Sequence, residues 1–143
     1  MSDSEGARVA LADTNVFVAL LAGPSHPLHE RSLELLRRVA DGRLTLILTP
    51  VILAELVYAC RMVLGWSRVV TADRLGRLLR ADGLSVREQA ILIGALELFG
   101  RHRRLDLPDA YLAATALMAG PAVVASFDRD YDVIEGVERT PAG

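Results

Sequence analysis

Four carboxylates stand where chemistry is possible. Asp13 ends the apolar run Val9-Ala-Leu-Ala12, and Asp128 follows Ala122 to Ala125 through Ser126-Phe127. Asp109 opens Pro108-Asp-Ala-Tyr-Leu-Ala-Ala-Thr115, and Glu55 lies mid-way along Pro50-Val-Ile-Leu-Ala-Glu-Leu-Val-Tyr-Ala-Cys60. Two of these acids end strand-like segments, one starts a helix and one sits on a helix expected to pack over the sheet. If the two strands are neighbours, their terminal carboxylates share a crevice of the kind that binds ligands at the carboxyl ends of parallel strands. Carboxylates within a few ångströms repel and are driven to protonate unless a divalent cation neutralises them. Oxygen donors suit a hard ion, Mg²⁺ or Mn²⁺. No Cys pair or His spacing offers the nitrogen and sulfur ligands typical of zinc. His26, His29 and His102 fall in loop-like or exposed contexts and read as surface residues.

Each acid also has a plain structural reading. Asp is a favoured helix N-cap, which suffices for Asp13 and for Asp128 before a short helical turn. Asp109 could simply favour a helix's first turn through the macrodipole, with Asp106 as the cap. Glu55 is different, because apolar residues surround it on essentially every side of the helical wheel and no basic residue stands three or four positions away. An ionised Glu there is costly unless it meets a distant Arg or a bound cation.

The elements that must carry these residues alternate. Val9 to Ala12 reads as a short buried strand, with helix-compatible residues from Val16 to Leu21. A helix follows over 27–40, then a strand at Leu44 to Leu48, and Thr49-Pro50 starts a helix reaching about Leu64. Ser67 to Leu79 is a further helix, with Val70, Leu75, Leu78 and Leu79 inward and Arg68, Arg74, Arg77 and Arg80 largely outward. Leu84 to Val86 could be an edge strand, Arg87 to Phe99 a helix ending at Gly100, and Arg101 to Asp106 a charged connector. Pro108 to Ala119 is an apolar helix, Ala122 to Ala125 a buried strand, 130–134 a short turn or helix, and 137–139 a last edge strand. Strands alternating with helices predict an α/β fold, a three-layer α/β/α arrangement around a mainly parallel central sheet.

The chain has 143 residues, 52% hydrophobic and 24% charged, which predicts one folded domain over 1–143 with its core at about 9–139. The lone Cys60 can form no internal disulfide and reads as a buried small hydrophobe, which fits a cytoplasmic protein. The acidic start Met-Ser-Asp-Ser-Glu-Gly lacks the pattern of a secretory signal, and no apolar run reaches the ~18–20 residues of a membrane span. A net charge of −2 makes no general case for nucleic acid, though clustered acids holding a cation would mask one. All 16 basic residues are Arg.

Asp13-Thr-Asn15 after the first strand, Ala54-Glu55-Leu56 in a helix, Leu107-Pro-Asp109-Ala-Tyr-Leu-Ala-Ala-Thr-Ala116 and Ala125-Ser126-Phe-Asp128-Arg-Asp-Tyr131 together resemble a PIN domain, most closely the VapC-type ribonuclease toxins of prokaryotic toxin–antitoxin pairs. The likeness runs from about Val9 to Arg139. It implies a Mg²⁺- or Mn²⁺-dependent endoribonuclease whose acidic quartet is matched by Asp13, Glu55, Asp109 and Asp128, as catalytic groups and metal ligands, with Asn15 and Ser126 in supporting polar positions. Asp106 and Asp130 are neighbours off that motif register. The family also implies a homodimer bound by a small antitoxin protein, with apolar surface on the second to fourth helices as the natural place for both contacts.

Arg101, Arg103 and Arg104, just before the helix of Asp109, are the best-placed cluster for RNA phosphates, and equally could cap a helix end and solvate a connector. Haloacid-dehalogenase-type phosphatases and receiver domains also place Asp after a first strand but use a Lys, which this chain lacks. Neither a Walker A nor a dinucleotide glycine motif is present. The remaining alternatives are a PIN nuclease of RNA processing outside toxin–antitoxin pairs, and a non-catalytic PIN-like binding module with structural acids.

Overall fold

Among the described residues five short strands and six α-helices form, close to the positions the periodicity predicts. The computed structural model describes residues 8–143, so the acidic start lies outside the described residues. These residues form two compact units: one runs to Trp66 and includes Arg77–Glu88, the other comprises Ser67–Gly76 and Gln89–Gly143.

The first unit is built on β1 (Arg8–Leu11), β2 (Leu44–Leu48) and β3 (Leu84–Val86), in the order β1-β2-β3 and parallel throughout. Alternation along β2 is clean, with Leu44, Leu46 and Leu48 buried. Its helices are α1 (Thr14–Ala22), α2 (His29–Ala40) and α3 (Pro50–Met62). Phe17, Leu53, Leu56 and Cys60 fill the core at full burial. Ser32 donates to the Val16 carbonyl at 2.9 Å, and Nδ1 of His29 lies 2.9 Å from the Ala19 carbonyl, locking α2 onto α1. His29 is therefore buried rather than a surface residue, because a carbonyl at the right distance satisfies its ring. A second correction concerns β1. The sequence predicts a buried strand, yet all four residues are exposed, and among the described residues β1 pairs with β2 alone, at the edge of its sheet.

The second unit contains most of α4 (Arg68–Leu79), then α5 (Gln89–Arg101), α6 (Leu107–Met118), the parallel pair β4 (Val123–Ala125) and β5 (Glu138–Thr140), and a 3₁₀ helix at Arg129–Val133. Buried Ala110, Ala113 and Ala114 let α6 approach α5 closely. A Cβ on Gly94 would stand 3.1 Å from Met118 Sδ and 3.6 Å from Ala114 Cβ, a measure of how near the two helices come. Arg68 departs from the outward position expected of it. Its guanidinium donates to the carbonyls of Phe99 (3.1 Å), His102 (3.1 Å) and Leu105, and stacks 3.8 Å from the centre of the Phe99 ring. It thereby serves a carbonyl in the last turn of α5 and two in the connector that follows.

Candidate active site

Asp13 caps α1 from extended backbone, and its carboxylate accepts from Thr14 N at 2.7 Å. The capping reading is thus real, but one hydrogen bond leaves an exposed carboxylate with acceptor capacity to spare. Asn15, two residues on, is exposed as well.

Glu55 corrects the expectation of an acid enclosed by apolar residues. The buried face of α3 is Leu53, Leu56, Val57 and Cys60, which leaves Glu55 on the solvent side with Val51, Tyr58 and Met62. The apolar appearance of its surroundings arises because the outer face of the helix is itself apolar. Glu55, Tyr58, Ala54 and Ala59 line an open groove of about 490 Å³ together with Thr14, the first residue of α1. The start of α1 and the middle of α3 therefore bound one space. The hydroxyl of Thr14 is buried without a hydrogen-bond partner.

Asp109 stands in the first turn of α6, where Pro108 and the Asp106 cap fix the helix start. Its Oδ2 accepts from Asp106 N at 3.4 Å, and its Oδ1 accepts from the Tyr131 hydroxyl at 3.2 Å. β4 delivers the second acid of this unit. After Ala125 the chain turns as Ser126 Oγ accepts from Asp128 N at 2.9 Å, and Asp128 Oδ1 in turn accepts from Asp130 N at 2.9 Å, capping the 3₁₀ helix. That helix carries Tyr131 back to Asp109.

The electrostatics confirm how close these groups are. Desolvation and then the Asp128 carboxylate, by charge and by hydrogen bond, hold the Asp130 carboxyl above its ordinary range; Asp109 adds to this and Arg104 opposes it. Arg104 lies 3.8 Å from Asp130, its own side chain exposed and that of Asp130 half-buried. Burial, then the charge and hydrogen bond of Asp109, push the Tyr131 hydroxyl up to about 12. Asp130, off the motif register in the sequence, is therefore part of the same acidic cluster. Its spacing of two residues from Asp128, across an Asx turn, is the signal that could have found it. Arg101, Arg103 and Arg104 are exposed just before α6.

Arg139 carries no signal in the sequence. It is buried on β5, donates through Nε and Nη2 to Asp132 at 2.9 and 3.1 Å, and through Nη1 to the carbonyls of Ser126 (3.2 Å) and Pro141 (2.9 Å). This fork holds the Asp132 carboxyl below its usual value.

The groups bonded together around Asp109 and Asp128 are all oxygen donors, the chemistry a hard cation requires. Among the described residues no three Asp, Glu, His or Cys side chains are grouped closely enough to hold one ion by themselves. Mg²⁺ does not need three, since it commonly keeps several waters and takes one or two carboxylates. The residues present fit such an ion.

A family model of the PIN domain matches residues 10–137. The chain belongs to the PIN-domain family. With that membership goes the expected fold class, α/β of the PIN type in three layers with a parallel sheet, and a nuclease-type fold of a kind that typically binds divalent metals. No curated protein and no solved structure matches the chain. Among the described residues no helix is long and apolar enough to cross a membrane.

Proposed function

We propose that the protein is a Mg²⁺- or Mn²⁺-dependent endoribonuclease that hydrolyses RNA phosphodiester bonds, acting in the cytoplasm as the toxin of a type II toxin–antitoxin pair. The observation that carries this reading is the crowding of mutually repelling carboxylates at the end of β4 and the start of α6: Asp128 Oδ1 accepts from Asp130 N at 2.9 Å, and Tyr131, the next residue, donates to Asp109 Oδ1 at 3.2 Å. Such repulsion is the situation that a divalent cation relieves. Asp109 and Asp128 would hold the ion; the resemblance counts Asp13 and Glu55 in the same acidic quartet. When bound, the ion lowers the pKa of a water and stabilises charge on the phosphate oxygens.

The chain's own residues do the rest. The Tyr131 hydroxyl fixes the orientation of Asp109 by donating to one oxygen, while the other accepts from the Asp106 amide at 3.4 Å, so that both oxygens keep lone pairs for a further partner. Ser126 shapes the turn that presents Asp128. Arg101, Arg103 and Arg104, exposed just before α6 and the last of them 3.8 Å from Asp130, would hold the RNA backbone. Exposed Val51, Tyr58 and Met62 along α3 support a protein partner there, a second copy of the chain or an antitoxin.

The test compares wild type with Asp109→Asn on pooled cellular RNA, with Mg²⁺ or Mn²⁺ and with EDTA, and maps the cut ends. Metal-dependent cuts that vanish in the variant are expected. Wild-type protein that neither cuts nor binds metal by calorimetry would leave the non-catalytic module as the better account.

A further inference from the structure

Arg139 is the one buried cation described in the second unit that is not used by the proposed reaction. Its side chain is 4% exposed, whereas that of its partner Asp132 is 49% exposed. Desolvating a guanidinium is expensive, and an exposed carboxylate recovers only part of that cost. Two further backbone carbonyls make up the rest of its hydrogen bonding, and the position of one of them matters. Ser126 begins the turn that presents Asp128, and Asp132 stands near its end on the 3₁₀ helix. One guanidinium therefore grips both ends of the segment 126–132, at 3.2 Å on the Ser126 carbonyl and at 2.9 and 3.1 Å on the Asp132 carboxylate.

Between those two anchors lie Asp128, Asp130 and Tyr131. The segment has its own inner bonds, from Asp128 N to Ser126 Oγ and from Asp130 N to Asp128 Oδ1, but both are local to the turn and neither ties it to the sheet. At its near end the Ser126 amide donates to the Thr140 carbonyl of β5 at 3.0 Å, and Arg139, on β5 in register with Val124 of β4, adds the hold on the far end through Asp132. A lysine would keep the charge, yet a single ammonium has no planar fork with which to reach the carboxylate and the carbonyls together.

We propose that Arg139 is a positioning residue of the acidic site: it clasps the 126–132 turn from the sheet side so that Asp128, and the Tyr131 that meets Asp109, keep their places. This rests on the reading that Asp109 and Asp128 are catalytic. Loss of the clasp loosens the turn without removing an acid, so chemistry and metal affinity suffer while RNA binding by exposed arginines does not. Removing outer-shell support of a metal ligand typically costs on the order of 10–100-fold in affinity or activity.

The experiment measures kcat, KM for an RNA substrate and Mn²⁺ affinity by calorimetry, on wild type, Arg139→Lys, Asp132→Asn, Asp109→Asn and Val124→Ala. The last removes buried apolar contact from β4 and supplies comparable instability with the clasp intact. Expected is a fall of about 10-fold or more in kcat and in Mn²⁺ affinity for Arg139→Lys. KM should stay within about twofold, as should kcat and Mn²⁺ affinity in Val124→Ala at the same melting loss. If Arg139→Lys does not fold, Asp132→Asn, altered on the exposed side of the pair, carries the test by the same readouts. Equal losses in Val124→Ala, or wild-type behaviour of the clasp variants beside an inactive Asp109→Asn, would overturn the clasp alone. Cleavage by Asp109→Asn at the wild-type rate would instead overturn the nuclease reading on which it rests.

Discussion

The hydroxyl of Tyr131 donates to Asp109 Oδ1 across 3.2 Å, joining the 3₁₀ helix after β4 to the first turn of α6. Tyr131 is almost wholly buried, so a bond that looks like a detail of one side chain sets where two segments of the acidic cluster meet.

Titration of that tyrosine should be displaced. Burial first, and Asp109 second, raise the hydroxyl from 10.0 to about 12. A group whose folded-state pKa lies above its unfolded value adds stability that is complete below the unfolded value and lost as pH rises through the folded one. Stability should therefore decline between pH 10 and about 12. Tyr131→Phe should flatten that decline in denaturation curves recorded across the range. In Asp109→Asn the ultraviolet titration of Tyr131 should move down while staying above the ordinary value, since burial persists; an unmoved midpoint would contradict the contact.

Asp130→Asn should stabilise the protein at pH 7. The carboxyl is raised by desolvation and by Asp128, so ionising it costs the folded state, and the amide removes that cost. The Arg104 pair lost with it, 3.8 Å long and with its arginine exposed, contributes little. A melting temperature higher by about 1–3 °C at pH 7, and unchanged at pH 3 where the carboxyl is already protonated, is expected. A lower melting temperature at pH 7 would mean that Arg104 outweighs Asp128.

Glu55→Gln should separate activity from stability. Because Glu55 is exposed and lines the groove with Thr14, its charge does nothing for the core. Cleavage should fall by roughly 100-fold or more, as a lost metal ligand implies, while the melting temperature stays within about 2 °C. A large stability change would restore the idea of an enclosed charge.

Gly83→Ala should be costly for reasons unrelated to the site. The residue has φ +82°, and an added Cβ would stand 2.6 Å from Val39 Cγ1 and 3.2 Å from the Val39 carbonyl oxygen. A loss of about 1–3 kcal/mol in urea denaturation is expected. Gly42→Ala, at φ +74° with nothing within 4 Å, should lose less, and a reversed order would show that backbone strain rather than contact dominates.

The sequence by itself determined the elements and the register of the motif. Leu44 to Leu48 alternates as a strand because side chains along a strand point to opposite faces, and Thr49-Pro50 and Asp106-Leu-Pro108 start helices because those residues pre-set the first turn. Asp13 and Asp128 were legible as strand-end acids for the same local reason. The family follows from these residues in that order, and its match over 10–137 bears this out.

Tertiary structure decided which side each residue faces and what meets it. Glu55 lies on an apolar stretch in either case, and only packing on the other face of α3 makes it solvent-exposed. His29 and Arg68 have unremarkable neighbours in the chain, but carbonyls of Ala19, Phe99 and His102, all distant in sequence, take them inward. Asp130, Tyr131 and Arg139 gain their roles from partners on other elements, and no spacing rule within one helix or strand encodes such a meeting. Hydrogen-bond capacity is a property of the residue type, whereas its satisfaction depends on the fold that brings a partner within about 3 Å.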